Sequence, residues 1–303
     1  MSDIVVVART CPHCGGEIKA AARVCKHCRE SVEPDERSAP HGVSTADLAV
    51  AAPTRVEKHP LESSAFGVVV VGAGALWLLL VLGGVGLVLL PSLAFSTWLS
   101  QQVLLAYAHT SALRVGPTQL PHIWRAYVDV GRRLGLAQLP PLYIRQEGGL
   151  INAFAARAGR KKQVMVMAGL LDAVGDDEAA LKFILGHELG HHIAQHTNSW
   201  KPLLLAPLDM IVVGVFAHTA LSRGQEFTAD RYGCIGCGDV AGAERAMLAL
   251  TAGRWGREAD VAVAMSQERE LTLWNHLMEI SATHPNFIRR IEAMRAFSGR
   301  GQP

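Results

Sequence analysis

Within the run LKFILGHELGHHIAQH, residues 181–196, His187, Glu188 and His191 make an H-E-x-x-H pattern. On a helix, residues four apart share a face, so the imidazoles of His187 and His191 can point at one place. Two imidazole nitrogens are good first ligands for Zn²⁺, which favours tetrahedral N, O or S donors. Glu188 follows the first histidine directly. There it reaches a water whose pKa the ion lowers towards ~7, and it takes that water's proton as a general base. His192 and His196 are a second pair four apart, but no Glu follows His192. These two are expected on the surface or behind the ligands.

A catalytic zinc with two histidines needs a third protein ligand if one position is to stay open for water. In SRGQEFTADRYG, residues 222–233, Glu226 and Asp230 lie four apart and share a helix face. Glu226 is the candidate third ligand. Asp230 can accept from the second nitrogen of a ligand histidine and so fix its tautomer and orientation. A different cluster opens the chain, where Cys11-x-x-Cys14 and Cys25-x-x-Cys28 supply four of the six cysteines. Each C-x-x-C aims two sulfurs at one ion, and four thiolates close its shell, so this zinc is expected to be structural. Residues 1–32 therefore read as a short zinc ribbon, with His13 and His27 as bystanders and a protein as its suggested partner. Thiols used in this way imply a reducing compartment. Cys234 and Cys237 read as ordinary reduced thiols at a helix–loop junction, with a redox or metal pair as the alternative.

These groups need elements to hold them. Leu181, Ile184, Leu185, Leu189 and Ile193 recur at three- and four-residue steps, which predicts a buried helix under the H-E-x-x-H. Asp176 and Asp177 stand just ahead and suit its N-terminus. Residues 142–144, 151–156 and 164–167 read as short strands, the last two joined by the basic turn 157–162. Residues 121–134, 241–252, 271–280 and 287–297 read as helices. The pattern is mostly α with a small β-sheet. The apolar stretch 200–221 contains Pro207, Asp209 and His218. A carboxylate inside a bilayer is costly, so this stretch is expected to pack on the domain or dip into the membrane interface.

The length, 303 residues, holds one sizeable domain plus a smaller module. A net charge of +2 creates no field for nucleic acid, and none is expected as a partner. Half the residues are hydrophobic and mean hydropathy is +0.20, which points to a lipid bilayer. No cleavable signal peptide is predicted ahead of the cysteine cluster. Residues 33–64, rich in Pro, Ser, Ala and mixed charge, read as a flexible linker. Residues 66–90 carry no charge over a length that suits a span, so 65–91 is expected to be a transmembrane helix. Residues 92–114, uncharged but mixed with polar groups, read as an amphipathic helix or a second membrane helix, the former being favoured. Arg55, Lys58 and His59 precede the span and no positive charge follows it until Arg114. That asymmetry predicts an integral protein of the cell membrane with a cytoplasmic ribbon. Residues 298–303 are expected to be a disordered tail.

Four segments, taken together, resemble the M48 peptidases, membrane-associated zinc metalloproteases. They are Asn152-Ala153-Phe154, the HELGH of residues 187–191, the SRxxEFxxDR of residues 222–231, and Thr283-His284-Pro285 with Arg290. The resemblance covers about residues 115–297. It implies an α+β zincin-like domain and a zinc endopeptidase acting on protein or peptide substrates. It implies His187, His191 and Glu226 as zinc ligands, Glu188 as general base and a supporting part for Asp230. It also implies that Asn152, Ala153 and Phe154 border the cleft where a substrate backbone pairs, that His284 supports the oxyanion, and that Arg290 orders the site. With the ribbon, this makes two zinc ions, one catalytic and one structural. Two features depart from the family pattern. The stretch between His191 and Glu226 is short for the two-span insertion expected of some members, and the ribbon is not a general feature. The rival reading is a non-enzymatic membrane adaptor whose ribbon recruits a partner, but such a protein has no chemical need for Glu188.

Overall fold

A computed structural model describes residues 8–11, 14–19, 25–30, 54–267 and 278–299. Most of the expected linker, most of the tail, His13 and the larger part of the helix expected over 271–280 lie outside the described residues. The chain divides into two compact units, Met1–Ser44 and Thr45–Pro303.

In the first unit, strand β1 (Ala8–Thr10) pairs antiparallel with β2 (Glu17–Lys19). One turn is built twice. Gly15 N–H donates to the Cys11 carbonyl and Cys11 N–H to Gly16; Arg29 N–H donates to the Cys25 carbonyl and Cys25 N–H to Glu30. The residue four beyond the first cysteine is left-handed in both turns, Gly15 at φ 71° and Arg29 at φ 61°. The repeated turn brings the two cysteine pairs together, with Cys11 Sγ 3.8 Å from Cys28 Sγ and Cys14 Sγ 3.7 Å from Cys25 Sγ. Sulfurs bound tetrahedrally at ~2.3 Å are ~3.8 Å apart, so the cluster fits a zinc ribbon.

The second unit opens with two apolar helices, α1 (Pro60–Leu82) and α2 (Gly86–Ser111). Pro60–Leu82 and Gly86–Tyr107 are each long and apolar enough to cross a membrane. Val68, Val71, Leu78, Leu82, Leu87 and Val88 are exposed along them. The apolar run expected as one span is divided. Gly83 caps α1, Gly84 takes φ 79°, and the chain turns into α2. The expected boundary between 65–91 and 92–114 is not where the chain turns: Pro91 lies inside α2, at the loss of one backbone hydrogen bond. Helix α1 also begins at Pro60, within the stretch expected to be linker.

Strands β3 (Leu113–Arg114), β4 (Leu142–Arg145), β5 (Ala153–Ala158) and β6 (Lys161–Met167) form a mixed sheet in the order β3-β4-β6-β5. Only β4 and β6 are parallel. A two-residue turn with Gly159 at φ 58° closes the β5–β6 hairpin. Strand β5 is left on the edge.

Helices α3 (Pro121–Arg133), α4 (Ala168–Val174) and α5 (Glu178–Ile193) follow. Asp177 caps α5, its Oδ1 accepting the Ala180 N–H at 3.0 Å. The stretch 200–221 is not one element. It holds a short helix α6 (Lys201–Leu205), a turn of 3₁₀ helix and the first third of α7 (Val212–Cys237), which is the helix that carries Glu226. Its buried side packs on α1, where Leu205, Leu208 and Leu221 meet Val69 and Ala73. Helices α8 (Val240–Ala252), α9 (Val261–Ser266) and α10 (Phe287–Ser298) complete the unit. Tyr127, Leu134, Leu142, Phe183, Leu185, Leu189, Met247 and Ile291 are fully buried in its core.

Helices α5 and α7 touch backbone to backbone. A Cβ added at Gly186 would lie 3.1 Å from the Gly233 Cα, and one at Gly233 would lie 2.7 Å from the Phe183 ring. Gly233→Val is therefore expected to overpack this crossing and cost about 1–3 kcal/mol, read as a lowered thermal midpoint of the full chain.

Candidate metal centre

Helix α5 turns His187, Glu188 and His191 into a cleft of about 480 Å³, and α7 turns Glu226 into it from the other side. The two Nε2 atoms of His187 and His191 are 3.1 Å apart. Glu226 Oε2 is 3.6 Å from His187 Nε2, and Glu226 Oε1 is 3.5 Å from His191 Nε2. Ligand atoms bound tetrahedrally at ~2.0–2.1 Å are ~3.3 Å apart, so these three side chains fit a zinc-sized ion.

Asp230, one turn beyond Glu226, accepts from His187 Nδ1 at 3.0 Å. A carboxylate only accepts, so the proton is on Nδ1 and the Nε2 lone pair faces the cleft. Arg290, from α10, donates to both oxygens of Asp230, at 2.8 and 2.6 Å, and stands 3.4 Å from Glu226 Oε2. Burial pushes the Asp230 carboxyl up, but the Arg290 charge and its hydrogen bonds outweigh this and hold it below the usual range. Burial also opposes ionisation of Glu226. The histidines around it and the Arg290 charge nevertheless keep it well below the usual value.

Glu188 differs. It is 5% exposed, its Oε2 has no hydrogen-bond partner, and burial pushes its carboxyl upward against the charges of His187 and His191. A buried acceptor left unpaired beside converging ligand atoms is available to a proton from outside the chain. His284 is at the rim, 70% exposed, with Nδ1 3.1 Å from Glu226 Oε2. Asn152, Ala153 and Phe154 line the same cleft at the start of β5. The structure thus brings together every residue the sequence reading associated with the H-E-x-x-H.

The second histidine pair is buried, not on the surface. His192 reaches the Gln163 carbonyl on β6 at 3.0 Å and Thr197 Oγ1 at 3.0 Å, pinning α5 to the sheet. His196 is behind His191, their Nδ1 atoms 2.9 Å apart, and its Nε2 is 3.2 Å from Glu62 Oε1. Burial pushes both imidazoles down to about 4. Sequence reasoning missed Glu62; the available signal was a lone carboxylate at the foot of an apolar helix. Cys234 and Cys237 are buried free thiols, which burial pushes up. A larger cavity, about 1270 Å³, lies against Leu189, His192 and Ile193 and is lined by Arg55, Lys58, Arg157, Lys161 and Lys162. It contains none of the converging ligand atoms, so the chemistry belongs to the smaller cleft.

The model of Peptidase family M48 matches residues 125–201 and 201–298, more than half of the chain. The chain belongs to peptidase family M48. It is also 27% identical over 183 residues to the Protease HtpX homolog of Methanopyrus kandleri, a match covering 49% of this chain and 57% of that relative. The chain thus spans little more than half the length of the curated relative. The M48 match contains every cleft residue named above, whereas the ribbon, α1 and α2 precede it.

Arg290→Ala leaves the Asp230 charge buried with half its partners, at an expected cost of about 3–5 kcal/mol. The folded Asp230 value is depressed, so its stabilisation is complete above the ordinary Asp range and is lost as pH falls through the folded value. Without Arg290 that loss begins at higher pH. Circular-dichroism melts at stepped pH would read both effects.

Proposed function

We propose that the protein is a membrane-anchored zinc endopeptidase that hydrolyses peptide bonds of protein substrates. The observation that carries this is the convergence of His187, His191 and Glu226, with ligand atoms within 4.8 Å of one another, beside a buried carboxylate oxygen without a partner. His187, His191 and Glu226 hold the ion. When bound, zinc polarises the scissile carbonyl and lowers the pKa of water. Glu188 takes the proton of the attacking water and delivers it to the leaving amine, its buried Oε2 having no partner in the chain to compete for that proton. An extended substrate backbone lies along the free edge of β5, next to Asn152, Ala153 and Phe154. His284 donates to the developing oxyanion from the rim. Asp230 and Arg290 keep His187 and Glu226 in place. Cys11, Cys14, Cys25 and Cys28 hold a second, structural zinc, and the ribbon offers a surface to a protein partner.

Helices α1 and α2 cross the bilayer as a hairpin, which supports the second-span reading of residues 92–114 over the amphipathic one. Arg55 and Lys58 precede the hairpin, Arg114 follows it, and the turn at Gly83–Val85 is uncharged. That pattern puts the peptidase domain on the cytoplasmic side.

Two measurements test this. Glu188→Gln is expected to lower kcat/KM on an unfolded protein substrate by about 10²–10⁴ with zinc content unchanged. Equal turnover by the two proteins would remove Glu188 from the chemistry. His187→Ala is expected to release one of two zinc ions to mild chelation, counted by metal analysis, while the thiolate-bound ion stays.

A further inference from the structure

We propose that Glu62, at the foot of the first apolar helix, is a positioning residue for the metal centre. Through His196 it fixes the tautomer and direction of His191. The proposal rests on the zinc reading above.

Glu62 is 1% exposed. Three donors surround its carboxylate: Lys58 Nζ at 2.7 Å, His196 Nε2 at 3.2 Å and Thr228 Oγ1 at 2.6 Å. An ionised carboxylate only accepts, so His196 carries its proton on Nε2. Nδ1 of the neutral His196 ring is then a bare acceptor. It lies 2.9 Å from His191 Nδ1, which must therefore be the donor. That leaves the lone pair of His191 on Nε2, the atom 3.1 Å from His187 Nε2 and 3.5 Å from Glu226. The opposite tautomer of His191 would put a proton where the ion belongs. His187 receives the same tautomer from Asp230 directly. Each ligand ring is thus set by a buried carboxylate, one in contact and one through a second imidazole.

The foot of α1 is fitted to this task. A Cβ at Gly224 of α7 would lie 2.5 Å from the Glu62 nitrogen, so glycine lets the two backbones meet. His59 N–H donates to Thr228 Oγ1 at 3.0 Å, and its ring stacks on Phe227 at 4.6 Å. Helix α7 therefore presents Glu226 to the ion and Thr228 to α1. The competing explanation is that Glu62 only pins α1 to α7. A pin needs Lys58 and Thr228; a relay needs His196.

The test uses the full chain in lipid nanodiscs. Zinc affinity of the labile site is measured by competition with a chromogenic chelator, with bound zinc counted by mass spectrometry and unfolding followed by thermal melting. Glu62→Ala and His196→Leu are each expected to weaken zinc binding about 10–100-fold. Because the two act in series, the double variant should lose no more than either alone. Thr228→Val, which removes a docking contact and leaves the relay, should lower the thermal midpoint and keep the zinc affinity. Wild-type zinc affinity in either relay variant, additive losses in the double variant, or an equal loss in Thr228→Val would overturn the relay. If the wild type holds no more zinc than His187→Ala, the zinc reading itself fails, and the relay is not what has been refuted.

Discussion

One carboxylate on α7 can face two imidazoles on α5 only if the helices cross with their backbones in contact. Gly186 and Gly233 make that contact possible, since a Cβ at either would come within 3.1 Å of the facing helix. The rest of the domain serves this crossing. Phe183, Leu185 and Leu189 bury α5 in the core, and Asp177 starts that helix at the right residue. Helix α10 then brings Arg290 against the face of α7 that carries Glu226 and Asp230.

The crossing concentrates charge in a dry place. Glu188, Glu226, Asp230 and Arg290 are all buried within a few side chains of one another. Ionised groups in such surroundings persist only when paired, because desolvation costs several kcal/mol per ion. Asp230 and Arg290 satisfy each other through two hydrogen bonds, and Glu226 has Arg290 and the histidines. Glu188 alone keeps an unpaired oxygen and a carboxyl pushed upward. The same physics therefore separates the carboxylates that hold the site still from the one free to exchange a proton.

Much of this was legible in the sequence, for a definite reason. His187, Glu188 and His191 lie within two turns, as do Glu226 and Asp230, and helical spacing alone sets which of them share a face. The short strands and the cap of α5 follow from equally local patterns. What stayed hidden is non-local. Glu62 meets His196 across 134 residues and Thr228 across 166, and no spacing rule links positions that far apart. The break between α1 and α2 was misplaced because hydropathy registers charge, not backbone. Gly83 and Gly84 end the helix, whereas Pro91 is tolerated inside the next one. The start of α7 reads in the sequence as a separate apolar segment because its early turns lie against α1 and its later turns line the cleft.

The ribbon carries a different consequence. Cys11 and Cys25 are buried, and the partly buried Cys28 packs against them. Where four thiolates converge in so small a unit, binding an ion there and ordering the two turns would be coupled. On the zinc reading, oxidants that convert these thiolates to disulfides, or starvation for the ion, would undo the two turns while leaving intact a neighbour built around leucine and phenylalanine.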